Sequence, residues 1–157
     1  MPRFVVVLPL EPLDAGSAFT LREWPLHLTV APTFDAVSLD QVIAVLAPLS
    51  VDQPAISVRA GRSEGFGRAM SRPASVIEES ESLLGLHEAL CTSLTRIGAE
   101  FDHPDFTGPG YRPHVTKTRT ASVQDGEAFE LRQIAVVDMA PHGDLRMRRV
   151  VWAATLY

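Results

Sequence analysis

Two of the five histidines in this 157-residue chain are followed two positions later by threonine: His27-Leu28-Thr29 and His114-Val115-Thr116. A coincidence of that kind arises about one time in thirty, so its context decides its weight. Both motifs lie in strand-like sequence with an apolar residue between the polar pair. Residues two apart in a strand share a face, so each His and its Thr project together while Leu28 or Val115 enters the opposite layer. An imidazole with an ordinary pKa near ~6.5 can give or take a proton at neutral pH. A threonine hydroxyl one pleat away can hydrogen-bond a phosphate oxygen and stabilise developing charge. Two such strands set face to face would bracket one phosphoryl group, with His27, Thr29, His114 and Thr116 as the catalytic set.

Other side chains are candidates for substrate contact. Tyr111 and Phe106 flank a glycine- and proline-rich loop and can stack on a base or simply pack. Strict alternation puts Lys117 and Arg119 on the face away from His114, Thr116 and Thr118, so Arg119 reaches a cleft only if the strand bends, bulges or ends. Phe66 suits a lid or a packing role. Arg146, Arg148 and Arg149 read as an RNA-binding patch or as a charged, exposed strand. His87 and Cys91, one helical turn apart beside a leucine stripe, read as a buried edge. His103, Asp105 and His142 read as turn residues.

The elements that position these residues follow a mixed pattern. Phe4 to Leu10 is a continuous apolar run, as expected of a strand buried on both faces. Leu26 to Ala31 forms a second strand, which Pro32 is expected to stop. Ser38-Leu39-Asp40-Gln41 is a capping box opening a helix that Pro48 is expected to end. Ala55 to Ala60 and Ala69 to Ile77 are strand-like around a glycine-rich hairpin loop, Gly61 to Gly67. A helix runs from about Glu81 to Ile97, with Gly98 at its C-terminal cap position. After a turn-rich stretch from Phe101 to Gly110 come strands Tyr111 to Thr118, Phe129 to Met139 and Met147 to Leu156. Hairpins outnumber βαβ crossovers, so the class is α+β, and no linker divides residues 1–157 into independent domains.

Composition narrows the partners. Hydrophobic residues make up 46% and charged residues 21%, within the range of globular proteins. A net charge of −5 argues against binding along long duplex nucleic acid, which needs a basic footprint. The single Cys91 forms no internal disulfide and no cysteine-rich zinc site. Glu11 and Asp14 interrupt the N-terminal apolar run, against a signal peptide. No apolar stretch reaches the ~20 residues needed to cross a bilayer. The expectation is a cytoplasmic protein without membrane association, its oligomeric state left open.

The two His-x-Thr motifs, the Arg-Pro-His-Val-Thr run from Arg112 to Thr116, and Arg119 five residues after His114 together resemble the 2H phosphoesterases. That family includes bacterial 2′-5′ RNA ligase-like proteins and RNA 2′,3′-cyclic phosphodiesterases. The likeness spans nearly the whole chain, and Lys117 and Pro32 depart from its usual pattern. It implies two pseudo-symmetric lobes of antiparallel sheet around a central cleft, with helices packed outside. It also implies hydrolysis or transfer at a cyclic or 2′-5′ phosphodiester without metal or cofactor, on a nucleotide or RNA end carrying a cyclic phosphate. In the expected order His27 is the acid and His114 the base. A different class, a non-catalytic nucleotide or RNA-end binding module on the same fold, makes no use of a paired acid and base. A histidine metalloenzyme needs a third ligand at metal spacing, such as His-x-x-x-His, which is absent.

Overall fold

The computed structural model describes residues 1–157. Ten strands and two α-helices follow one another along the chain. They are β1 (Arg3–Pro9), β2 (Ala18–Thr20), β3 (His27–Asp35), α1 (Leu39–Asp52), β4 (Ile56–Phe66), β5 (Arg72–Ile77), α2 (Glu81–Arg96), β6 (Glu100–Phe101), β7 (His114–Thr116), β8 (Ala128–Leu131), β9 (Gln133–Asp138) and β10 (Met147–Thr155). The sheet order is β2-β10-β9-β1-β3-β7-β5-β4-β8, with β6 added beside β3. All pairings are antiparallel. The two lobes are the halves of this one sheet, and β3 and β7, the strands that carry the motifs, meet at the seam.

One short connection dictates the sheet's shape. β8 and β9 stand far apart in the strand order, yet only Arg132 separates them in sequence. The sheet therefore has to curl until its far edge returns to the first lobe. Leu156 N–H donates to Arg132 O at 2.8 Å and Ala55 N–H to Tyr157 O at 3.0 Å, which sutures that junction. The expected single strand from Phe129 to Met139 is thus two strands serving different lobes.

Both helices pack on one face. Ser38 and Ser80 cap them, each hydroxyl accepting a backbone N–H at 3.2 Å. Val42 and Leu46 of α1 and Leu83, Leu86, Leu90 and Leu94 of α2 join Phe4, Val6, Leu8, Leu28, Val30 and Val115 in the main core. The opposite face of the first lobe holds a smaller cluster of Val5, Val7, Ala135, Val137 and Val150. Leu13, Phe19 and Trp24, from the segment between β1 and β3, cover it. That second cluster is why β1 reads as an unbroken apolar run.

Several expected boundaries move. β3 continues through Pro32, because Pro32 and Thr33 lie where the register with β1 shifts and no ladder donor is required. α1 continues through Pro48 to Asp52. Pro48 and Ala44 are both exposed, so water can reach the Ala44 carbonyl that loses its partner. β4 runs without a break through the glycine-rich stretch to Phe66, and the chain turns at Gly67 to Ser71, with Gly67, Ala69 and Met70 at positive φ. The strand expected from Tyr111 to Thr118 is only His114–Thr116, since Pro113 has no N–H for a ladder and Thr118 turns back onto Ala121. Gly98 takes φ +85° after α2, as its cap position requires.

Candidate active site

Leu28 faces Val115 across the seam in antiparallel register. That register sets His27 opposite Thr116 and Thr29 opposite His114, with Cβ atoms of opposed residues about 4.5–5.5 Å apart. Leu28 and Val115 are buried on the helix side, so the four polar side chains share the other face. All four are half-buried.

The imidazoles are held alike. His27 Nδ1 bonds the Pro25 carbonyl at 2.8 Å, and His114 Nδ1 bonds the Arg112 carbonyl at 2.7 Å. A carbonyl only accepts, so Nδ1 carries the hydrogen in each ring and Nε2 is the nitrogen left for a ligand. Burial pushes His27 down to about 4, against the pull of the Pro25 carbonyl, and the charge of His114 adds to the fall. Burial also lowers His114, with the Arg112 charge acting in the same direction and the Arg112 carbonyl against it. Two imidazoles, each with a free Nε2 and a threonine opposite, thus share one face at the seam.

The other candidates are distributed around this centre. Tyr111 lies on the helix side against the main core, its ring stacked on His87 at 3.7 Å. Its hydroxyl donates to the Thr29 carbonyl at 2.6 Å. His87 is buried between α2 and β3, with Nδ1 donating to Val30 O at 2.7 Å and Nε2 accepting from Gly108 N–H at 3.1 Å. Tyr111 and His87 together grip the backbone of the first motif. Phe106 stands exposed in the loop, tilted against His103 at 5.1 Å. Gly110 closes that loop, where a Cβ would collide with the Asp105 carbonyl.

Lys117 is exposed beyond the end of β7 and lines a polar groove of about 460 Å³ with Ser63, Ser75, Ser122, Gln124 and Asp125. Neither histidine lines that groove. Arg119 is exposed in the turn closed by Thr118 and Ala121. The arginine trio does not form one surface. Arg149 is exposed and Arg146 pairs with Asp144 at 3.3 Å. Arg148 is buried, donating to the carbonyls of Met139, Leu145 and Met147 at 2.8–3.0 Å.

Sequence reasoning gave no part in the site to Trp24 or Glu64. Trp24 stacks on His27 with centroids 4.2 Å apart, as Phe66 stacks on His114 at 4.0 Å. Glu64 pairs with Arg112, whose guanidinium holds its carboxyl below the usual range. Trp24 lies three residues before His27, a spacing that could have marked it. Glu64 carried no local signal.

The family model for the 2′-5′ RNA ligase superfamily matches residues 11–142. Among solved structures, E. coli LigT complexed with 3′-AMP superposes with a TM-score of 0.61 at 16% identity, over 99% of this chain and 98% of that chain. LigT complexed with NADP+ gives 0.62 at 15%, over 99% and 97%. TT0787 of Thermus thermophilus gives 0.59 at 17%, over 99% and 98%. At these identities the likeness establishes the fold. No curated protein sequence matches the chain.

Proposed function

The chain belongs to the 2′-5′ RNA ligase superfamily, and on that premise we propose that it is a metal-independent phosphodiesterase. Its substrate is a nucleotide or RNA end carrying a 2′,3′-cyclic phosphate, or a related cyclic or 2′-5′ phosphodiester. The observation that carries this reading is the opposed register of the two motifs, with both Nδ1 atoms tied to carbonyls and both Nε2 atoms free. A binding module needs anion donors but no such matched acid and base.

In the proposed reaction one imidazole takes a proton from water as its oxygen bonds to phosphorus in line with the leaving oxygen. The P–O bond to ribose breaks, and the other imidazole gives that oxygen a proton. Thr29 and Thr116 donate to the non-bridging oxygens. The proposed order is His27 as acid and His114 as base, and burial lowers both imidazoles, so either gives up a proton readily once it holds one. In the ligation direction the roles exchange. The structures of E. coli LigT with 3′-AMP, ATP and NADP+ support a nucleotide as ligand. Lys117, Arg119 and Phe106 are the proposed contacts beyond the phosphate, and Tyr111, on the helix side, acts on the site through the Thr29 carbonyl instead.

The test is incubation of the pure protein with 2′,3′-cyclic nucleotides, cyclic ADP-ribose phosphates, 2′-5′ dinucleotides and cyclic dinucleotides, followed by phosphorus NMR. Turnover to a single phosphate isomer supports the reading. Tight binding without turnover of any of them favours the binding module.

A further inference from the structure

Each imidazole is held from a second direction, and the two arrangements match. The Trp24 ring lies 22° from parallel to His27 and the Phe66 ring 15° from parallel to His114. Each aromatic ring also carries a guanidinium: Arg148 Cζ is 5.5 Å from the Trp24 centroid, and Arg112 Cζ is 5.0 Å from that of Phe66. The partners come from unrelated places in the chain. Trp24 precedes β3 and rests on the small apolar cluster, whereas Phe66 ends β4 at the tip of a hairpin. Arg148 is fixed by three backbone carbonyls, while Arg112 is fixed by Glu64. Different anchors have built the same cation–arene–imidazole stack twice.

We propose that Trp24 and Phe66, backed by Arg148 and Arg112, are positioning residues that fix the planes of the two imidazoles so that each Nε2 meets the phosphate. The inference rests on the two-histidine reading. One hydrogen bond at Nδ1 pins a single atom and leaves the ring free to swing about it, and a parallel aromatic face removes that freedom. The guanidinium adds a second effect. A bare aromatic face attracts a cation, so it would favour imidazolium. An arginine on the same ring competes for that attraction and repels a proton on the histidine. On the His114 side, where the Arg112 charge disfavours the imidazolium, the stack thus keeps the histidine neutral until an anion enters the cleft.

Phe66 offers the cleaner test, because it is only half-buried and stands outside both core clusters. Phe66→Leu is expected to lower kcat by ~10–100-fold, the scale of a misplaced catalytic group, with KM changed less than about threefold. Phe66→Tyr keeps a ring and is expected to stay within about threefold of the wild type in kcat. Imidazole nitrogen NMR, recorded without substrate, reads the same variants independently: His114 should titrate at a higher pH in Arg112→Met and show mixed tautomers in Phe66→Leu. Wild-type kcat and an unchanged His114 spectrum in Phe66→Leu, beside an inactive His114→Ala, would overturn the proposal. A rise in KM alone would do so too, by assigning Phe66 to the substrate's base. Activity in His114→Ala would instead overturn the two-histidine reading, and the NMR comparison would still decide whether the stack fixes the ring.

Discussion

In the proposed reaction His27 is the acid and must carry a proton when it acts, yet burial holds it at about 4. At pH 7 that leaves about one molecule in a thousand with His27 charged. On the proposed reading the substrate supplies the missing term. A phosphodiester brings one negative charge, and an oxygen ~4 Å from the imidazole at an effective dielectric of ~20 attracts a proton there with about 4 kcal/mol. At 1.36 kcal/mol per unit of pKa, that lifts the group by roughly three units, back to near neutrality. The two imidazoles repel each other's charge, so the bound complex takes up one proton for the pair. One acid and one base is the state that the chemistry needs. The perturbation is pH, read with the cleft empty and filled: kcat/KM reports the free enzyme and kcat the complex. The kcat/KM profile is expected to be a bell centred below about pH 6.5, with flanks belonging to the coupled pair. The kcat profile should lie about one to three units higher. Superimposable profiles, or a kcat/KM maximum above about pH 7.5, would refute the reasoning.

The remaining expectations concern variants, metal and stability. His27→Ala and His114→Ala should each lose at least ~100-fold in kcat, and the double variant should be little worse than the worse single one. Thr29→Ala and Thr116→Ala should lose ~10–1000-fold, as for a missing transition-state donor, with circular dichroism unchanged. Activity should survive exhaustive EDTA, whereas loss with recovery on added zinc or manganese points to a metalloenzyme. On a nitrophenyl phosphodiester, whose leaving group needs no proton, His27→Ala should retain more of its activity than His114→Ala, and the reverse ranking exchanges acid and base. Burial lowers His27, His87 and His114 in the folded state, so the unfolded chain binds more protons below about pH 6.5. Stability is then fully present above that pH and falls as the pH drops towards about 4. A urea midpoint at pH 5 equal to or above that at pH 7 would contradict this.

The motifs were legible because alternation in a strand is a local rule. Leu28 and Val115 are apolar and flanked by polar pairs, which by itself assigns faces. What alternation cannot say is that Leu28 opposes Val115, because pairing between strands far apart in sequence is not a local property. The misplaced boundaries share a cause. Pro32, Pro48 and the glycines of β4 are local breakers, and each is tolerated where a register shift, solvent or a long pairing with β5 removes the need for a regular ladder or helix bond. Arg148 was misread because a charge on a strand suggests exposure. Three backbone carbonyls gathered by the β9–β10 hairpin hold it inside instead.

The sequence shows an aromatic residue three positions before each motif histidine: Trp24 before His27 and Tyr111 before His114. Symmetry would give them one role, but only Trp24 stacks on its histidine. Tyr111 turns to the helix side, onto His87 and the Thr29 carbonyl, and the stack on His114 comes from Phe66 across the second lobe. The difference gives the cleft a direction. His27 leans on a tryptophan set into an apolar cluster and backed by a buried arginine. His114 leans on a hairpin tip and an exposed arginine paired to Glu64. Two identical half-sites would not distinguish the entering oxygen from the leaving one. In the proposed reaction water enters on the His114 side, where the backing arginine is exposed rather than buried. In the same proposal the ribose oxygen departs on the His27 side and takes its proton from that imidazole.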